Sequence, residues 1–284
     1  MDRRRFTALL ALAPLCQTAC TRGTTAAPEP DLLDSWIRLA AATDERLVIW
    51  WMTGQRYGVV NARSTLLYGM QVGIFQRFFA QPDGSWKIAM FELTYYTDLA
   101  TGDLLETWQN PYTGITNQVQ HVRLGPEVRL QTATGQYADP DDSFVQKMLS
   151  HYEATLGPMR TDGNKVWIPT SVEALISFPS PRVPDIKLNH YTTVSGHTDA
   201  ALDPTRASVP ASLSFQNVIA WEPWMQMGDH PGHLMSRAYG RKLESLAEMP
   251  EDYLRLARAV HPKLIADPLQ TLAKPVARIK GTDT

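Results

Sequence analysis

The sequence predicts a mainly β protein, an antiparallel β-barrel with a few peripheral α-helices. Short runs rich in aromatic and β-branched residues follow one another between residues 47 and 221. Turn signals separate these runs, most clearly Pro-Asp-Gly at residues 82–84 and Asn-Pro-Tyr-Thr-Gly at residues 110–114. The predicted strands do not alternate with helices. That order excludes the doubly wound nucleotide-binding folds and favours a closed or nearly closed antiparallel barrel.

Length and composition are those of a globular protein with a substantial core. The chain has 284 residues, of which 44% are hydrophobic and 20% are charged. A barrel can use this whole length as one domain. The formal net charge is −2, and lysine and arginine form no cluster along the body of the chain. We therefore expect no nucleic-acid partner.

Residues 1–30 have the layout of a signal peptide followed by a tether. Three arginines at positions 3–5 precede Phe6 and an apolar run at positions 8–15, which is too short to span a bilayer. The order Arg-Arg-x-Phe resembles a twin-arginine signal, and the general secretory route is the alternative. We expect an exported, periplasmic protein in which residues 31–284 form a single barrel domain.

Both cysteines, Cys16 and Cys20, lie in this leader. Removal of the leader leaves no pair for an intramolecular disulfide, so stability has to come from the core. Cys20 follows two small residues and is a candidate lipidation site; plain cleavage near Ala26 is the alternative. We expect contact with a membrane only through a lipid anchor at Cys20.

The pattern along the chain assigns the individual elements. Asp31 caps a short helix, and residues 47–60 form a strand whose first part, residues 47–52, is apolar on both faces. Residues 70–81 and 86–97 form a hairpin, and residues 95–121 continue as a β-meander. Further strands are predicted at 119–130, 166–169, 175–178, 186–194 and 213–221. Helices are predicted at 143–156, 240–249 and 250–260.

Several segments together resemble a known family. They are Asp-Leu-Ala-Thr-Gly-Asp-Leu-Leu at 98–105, Trp-Gln-Asn-Pro-Tyr-Thr-Gly at 108–114 and Trp-Glu-Pro-Trp-Met-Gln-Met-Gly at 221–228. Over roughly residues 45–265 the chain resembles a bacterial family known only as domain of unknown function 1838. The resemblance implies export and a calycin-like (lipocalin-like) barrel that holds small apolar molecules. It supplies no catalytic residues, and a fold alone does not give a chemistry.

Glu92 and Arg77 are charged residues in apolar rows of the predicted hairpin. A buried charge has to be paired or shifted in pKa. One hypothesis places both residues in the barrel interior, with Glu92 as a base and Arg77 contacting an anion or a carbonyl group. The alternative is a structural or solvent-facing ion pair.

His121 and His190 lie in predicted strands, and histidine is suited to proton transfer near neutral pH. Together with Glu92 they are the candidate catalytic residues. A histidine that is simply hydrogen-bonded within the barrel is the alternative for each.

Polar and aromatic residues supply a candidate ligand wall. Asn217 interrupts an apolar row, and a buried amide needs partners. Aromatic side chains offer a large apolar contact area, although barrel-end packing explains such a cluster equally well. The candidate ligand-binding residues are Arg77, Trp108, Asn110, Tyr112, Asn217, Trp221 and Trp224.

Signatures of common enzymes are missing from the sequence. It has no Gly-x-Ser-x-Gly elbow, no phosphate-binding glycine-rich loop and no His-Glu-x-x-His. Asp229, His230 and His233 could be imagined as metal ligands, but Pro231 and Gly232 make the segment a loop, and no further ligand is predictable. We therefore predict neither a metal nor a cofactor.

These observations support three functions. The favoured one is an exported barrel that binds a hydrophobic or aromatic small molecule in its interior. The second is a cofactor-independent acid/base enzyme, an isomerase, lyase or hydrolase, acting on such a molecule. The third is a lipid-anchored interaction scaffold.

Overall fold

The computed structural model describes residues 31–139, 149–177 and 185–282. Ten strands form one antiparallel sheet in the order β7-β6-β3-β2-β1-β13-β12-β11-β10-β8, β9 pairs with β10, and β4 and β5 form a separate pair. The strands are β1 Val48–Val60, β2 Arg63–Ala80, β3 Trp86–Thr97, β4 Thr107–Gln109, β5 Thr116–Gln118, β6 Val122–Gln131, β7 Gln136–Ala138, β8 Leu149–Leu156, β9 Arg160–Asp162, β10 Lys165–Ile176, β11 Ile186–His197, β12 Ser212–Ile219 and β13 His233–Leu243.

The two ends of this order meet, so the sheet curls into a nearly closed barrel. The Tyr152 hydroxyl donates to the Gln136 carbonyl oxygen (2.7 Å), and the rings of Tyr137 and Tyr152 lie 5.7 Å apart. Gly135 approaches β8 so closely that a Cβ atom there would lie 2.6 Å from the Cβ of Ala154. These contacts define the β7–β8 seam. The predicted fold class, mainly β with an antiparallel barrel, is confirmed and is consistent with a calycin-like barrel.

The alternation along each strand separates an inner face from an outer face. Trp50 and Met52 on β1 belong to the inner core, whereas Ile49 belongs to a second core on the outer face. This outer core explains why residues 47–52 are apolar in both rows, and the predicted cover on both faces is present there.

Helix α1 (Leu32–Ala40) closes one end of the barrel. Asp31 caps its N-terminus, as predicted, by accepting from the Leu33 backbone N–H at 2.9 Å. At its C-terminus, Trp50 Nε1 and Gln76 Nε2 both donate to the Ala40 carbonyl oxygen (2.7 and 2.9 Å). Lys242 Nζ donates to the carbonyl oxygens of Arg38 (2.8 Å) and Ala41 (2.9 Å). The last carbonyl groups of a helix have no partner within the helix, and here side chains that point into the barrel donate hydrogen bonds to them.

Most of the remaining helices follow the last strand. Helix α3 spans Glu251–Val260. Its residues Tyr253 and Leu256 pack on the outward side chains of Phe75 and Phe91, so the helices bury the outer core. No helix in the described part of the chain is long and apolar enough to cross a membrane. The helices are α2 Thr198–Leu202, α3 Glu251–Val260, α4 Pro262–Ala266, α5 Pro268–Thr271 and α6 Ala273–Lys280.

Two predicted helices are wrong. Residues 149–156 form strand β8, and residues 140–148 lie outside the described part of the chain. In β8, Tyr152, Ala154 and Leu156 share one face. Tyr152 and Leu156 are four residues apart, and that spacing fits both a strand face and a helical stripe. Residues 240–243 end strand β13, which pairs with β1 and β12. Pairing on both sides outweighs local helical preference there.

The predicted meander at 95–121 is only partly present. Strand β3 ends at Thr97, and Thr97 forms an isolated bridge with Leu104. Beyond it, β4 and β5 pair with each other and not with the barrel sheet. Most of the stretch is therefore a covering loop rather than barrel wall.

Candidate ligand site in the barrel interior

The inner face carries a set of polar and ionisable side chains. Residues directly opposed in an antiparallel ladder point to the same face, so the register places each of them. They are Arg56, Tyr68, Glu92, Tyr96, Glu127, Arg129, Tyr152, His190, Asn217 and Ser236.

Arg129 on β6 lies in the middle of one group of these residues. Its Nε donates to Glu127 Oε1 (2.6 Å) and its Nη1 to Gln136 Oε1 (3.1 Å). Among the described residues, Nη2 has no hydrogen-bond partner. The side chains of Arg129 and Glu127 keep 29% and 27% of their surface accessible, although both face the interior. Solvent therefore reaches this part of the inner wall.

Glu92 on β3 belongs to the same group. Its Oε1 accepts a hydrogen bond from Thr94 Oγ1 at 2.9 Å. Burial raises the pKa of Glu92, because the ionised form loses hydration, and Glu127 adds to the rise while Arg129 opposes it. The predicted interior position of Glu92 agrees with the register.

His190 on β11 faces the interior between Val172 and Asn217 on the neighbouring strands. Its ring contacts Phe215 edge-on, with centroids 5.5 Å apart. Burial, together with the positive charges of Arg129 and Arg56, lowers the pKa of His190 to about 4. Neither ring nitrogen has a hydrogen-bond partner among the described residues. At neutral pH the imidazole is uncharged and offers one donor and one acceptor.

A second polar group, around Arg56, closes the other end of the barrel, while Arg56 Nε and Nη1 and the Tyr68 hydroxyl have no hydrogen-bond partner among the described residues. Arg56 Nη2 donates to Glu222 Oε1 (2.5 Å) and to the Tyr96 hydroxyl (2.7 Å), and that hydroxyl donates to Glu222 (2.8 Å). Trp224 Nε1 donates to the other oxygen of Glu222 at 2.5 Å. The Arg56 and Glu222 side chains are only 6% and 14% exposed. This network fixes the 3-10 turn Pro223–Met225 over the barrel end.

Trp108, Trp224 and Asn110 lie in this cover. The ring of Trp108 lies 5.7 Å from Tyr68 and 5.8 Å from Trp224, both edge-on. Asn110 is completely buried, and its Nδ2 donates to the Met225 carbonyl oxygen at 2.9 Å. Their predicted ligand contacts stay predictions, and their position is that of packing and support.

Tyr112, Trp221 and Asn217 are also engaged by protein groups. The Tyr112 ring is tilted against Trp221, with centroids 5.4 Å apart, and its buried hydroxyl has no hydrogen-bond partner among the described residues. Trp221 Nε1 donates to the His230 carbonyl oxygen at 3.1 Å. Asn217 faces the interior beside His190, and its Oδ1 accepts from the Ser236 backbone N–H at 3.0 Å. Asn217 is the member of this set that lies in the barrel wall next to the accessible space.

Arg77 is not in the interior. It opposes Ala89 on the outer face, its Nε donates to the Glu45 carbonyl oxygen (2.7 Å), and its guanidinium lies over Phe79 at 5.3 Å. The predicted pairing of Arg77 with Glu92 in one lumen is therefore wrong. Helices cover the outer face of this hairpin, so both rows are apolar and the sequence does not distinguish inside from outside.

His121 also lies away from the interior. Its Nδ1 accepts from the Tyr96 backbone N–H (3.1 Å), and its ring neighbours outward-facing Tyr95, whose hydroxyl is hydrogen-bonded to His261 Nδ1 (3.0 Å). Burial lowers the pKa of His121 to about 4, and His261 contributes to the shift. His121 and His190 therefore belong to different environments, and only His190 and Glu92 share the lumen.

Sequence reasoning missed Glu127, Arg129 and Tyr152. A register shift of β6 against β3 between Met90 and Glu92 interrupts the alternation, and Tyr152 was assigned to a helix. The signal that could have found the first two is Glu-Val-Arg-Leu-Gln at 127–131, where polar and apolar residues alternate. In the described chain, no three His, Cys, Asp or Glu side chains come close enough to hold a metal ion.

The fold and the interior define an antiparallel β-barrel with an accessible, polar inner wall and covered ends. The chain belongs to a family of proteins of unknown function, DUF1838, whose profile matches residues 44–162 and 186–276. No curated protein and no solved structure matches the chain.

Proposed function

We propose that the barrel binds a small molecule with an apolar or aromatic body in its interior. The observation that carries the proposal is the accessible surface of inward side chains on opposite walls: Glu127 and Arg129 on β6, and Val172, His190 and Phe215 on β10 to β12. Ligand pockets combine an apolar wall with a few polar groups that fix orientation, and this wall has that composition.

The test blocks the lumen beside His190. Val172 faces inward and opposes His190, whereas its neighbour Ser171 faces outward. We expect Val172→Trp to fill the interior and Ser171→Trp to leave it open. Native mass spectrometry of protein purified from its own host then compares retained small molecules. The proposal requires a defined apolar compound on the wild type and on Ser171→Trp, and its loss from Val172→Trp; empty protein in all three speaks against it.

A second function is acid/base catalysis on the bound molecule. The observation in its favour is that the same lumen holds a carboxyl group with a raised pKa, Glu92, and an uncharged imidazole, His190. Groups whose environments displace their pKa values from the usual range are the ones that acid/base sites use. Turnover with a bell-shaped pH profile that Glu92→Gln abolishes supports it, and pH-independent binding without turnover opposes it.

We also propose that the chain is exported through its first thirty residues. The support is the arginine-arginine-x-phenylalanine order followed by a short apolar run. Fractionation of cells that carry Arg3→Lys with Arg4→Lys tests the twin-arginine route, since blocked export leaves the protein in the cytoplasm. Cys20→Ala tests lipidation, which predicts a shift from the membrane fraction to the soluble periplasmic fraction.

A further inference from the structure

Arg129 and His190 have unused hydrogen-bonding capacity inside the barrel. A guanidinium has five N–H groups, and Arg129 uses Nε and Nη1 on Glu127 and Gln136. His190 uses neither ring nitrogen on any described residue. Both side chains face the interior and both keep accessible surface. Because these donors are accessible and no described protein group uses them, a ligand or water can satisfy them.

The surroundings of these donors are mainly apolar. His190 contacts Phe215 edge-on and opposes Val172. Leu188 and Ile219 continue the same inner wall and are only partly buried. A molecule whose polar atom meets Arg129 and His190 therefore places its remaining surface against aliphatic and aromatic side chains.

The charges of the interior oppose a further anion. Arg129 is paired with Glu127, and Arg56 is paired with Glu222. With Glu92, this part of the interior contains three carboxyl groups, and the two guanidinium groups are those of Arg56 and Arg129. Lys242 also faces the interior, but its ammonium group is held by the carbonyl oxygens of Arg38 and Ala41. An additional carboxylate next to Arg129 therefore lacks an unpaired cation, and burying it is unfavourable. A neutral oxygen acceptor meets the free donors without adding charge.

We infer that the interior site recognises a neutral carbonyl group, held by the free N–H groups of Arg129 and His190, on an apolar or aromatic molecule. This inference rests on the proposed function. It adds the kind of polar group that the ligand carries, called the head group below, and the two residues that recognise it.

Three probes of similar size test the inference: acetophenone with a neutral carbonyl, benzoate with a carboxylate, and ethylbenzene with neither. Isothermal titration calorimetry measures the Kd of each for the barrel protein. We expect acetophenone to bind about tenfold more tightly than ethylbenzene, the effect of one or two buried hydrogen bonds. Benzoate is expected to bind more weakly than acetophenone.

Substitutions at His190 assign the head-group contact. His190→Leu should remove most of the preference for acetophenone over ethylbenzene, and His190→Gln, which keeps a donor, should retain it. Asn189→Leu is the matched control, because Asn189 is adjacent on β11 and faces outward. Glu127→Gln removes a negative charge next to Arg129 and should improve benzoate binding more than acetophenone binding.

The outcomes separate this inference from the proposed function. Equal binding of acetophenone and ethylbenzene, or a preference that survives His190→Leu, overturns the head-group assignment and leaves interior binding standing. Tighter binding of benzoate than of acetophenone overturns the neutral ligand class. Binding of none of the three probes overturns both proposals.

Discussion

The hydroxyl group of Tyr253 lies directly over Gly73, where a Cβ atom would be 2.2 Å from the hydroxyl oxygen. Tyr253 belongs to α3 and Gly73 to the outer face of β2, so the missing side chain lets the helix approach the sheet. The hydroxyl then donates to the Leu93 carbonyl oxygen at 3.2 Å. This contact joins the C-terminal helices to the barrel wall.

Gly73→Ala should therefore destabilise the protein, by about 2 kcal/mol, because the added methyl group displaces the Tyr253 ring. Urea unfolding followed by circular dichroism measures the change. In a Tyr253→Leu background the same substitution should cost clearly less. An equal cost in both backgrounds would mean that the loss comes from the strand backbone and not from the helix contact.

Glu222→Gln should be strongly destabilising, by about 3 kcal/mol, because it leaves the Arg56 guanidinium buried without its counter-charge. Replacing both residues, as Arg56→Met with Glu222→Leu, should cost less than the single change. Thermal unfolding compares the two variants. Glu248→Gln is the control, since its ion pair with Arg241 is exposed and should contribute little.

Lys242→Met should loosen α1, because the two carbonyl groups that Lys242 satisfies are left without that donor. We expect a loss of about 1–3 kcal/mol, with earlier hydrogen exchange in residues 32–41 than in the rest of the barrel. Lys165→Met is the matched control, because Lys165 is exposed at the start of β10. A uniform change in exchange across the chain would contradict a local role.

His190 makes stability depend on pH. Its folded-state pKa of about 4 lies below the ordinary value of 6.5, so the unfolded chain binds the proton more readily. The stability that this group contributes is present above pH 6.5 and is lost as pH falls towards 4, by about 2 kcal/mol at pH 5. Urea midpoints at pH 7 and pH 5 measure the difference, and His190→Gln should reduce it. The pKa values of His121 and His261 are lowered as well, so an unchanged pH dependence in His190→Gln would assign the effect to those two histidines.

Local patterns predicted much of the fold. Asp31 caps α1, and the turn at 82–84 joins β2 and β3, because capping and tight turns depend on a few adjacent residues. The assignment of 240–249 to a helix failed because pairing with two distant strands decides the structure there. A local window contains no information about those partners.

The interior site was predictable only in part. Glu92 and His190 stand out as polar residues in apolar rows, and both face the lumen. Arg77 is also a polar residue in an apolar row, but it faces outward. Its row is apolar because the C-terminal helices cover this side of the sheet. Arg129 escaped notice because arginine next to other polar residues looks like an exposed strand until the barrel closes around it.

Closure of the β7–β8 seam by tyrosine contacts has a mechanical consequence. Among the described residues, no backbone ladder joins these two strands, whereas every other neighbouring pair in the barrel is joined by a backbone ladder. Parting the strands at this line breaks side-chain contacts such as that of Tyr152 with Gln136, and leaves the ladders intact. Among the described residues, this line next to Arg129 is thus where the circumference of the barrel can open with the fewest backbone hydrogen bonds broken.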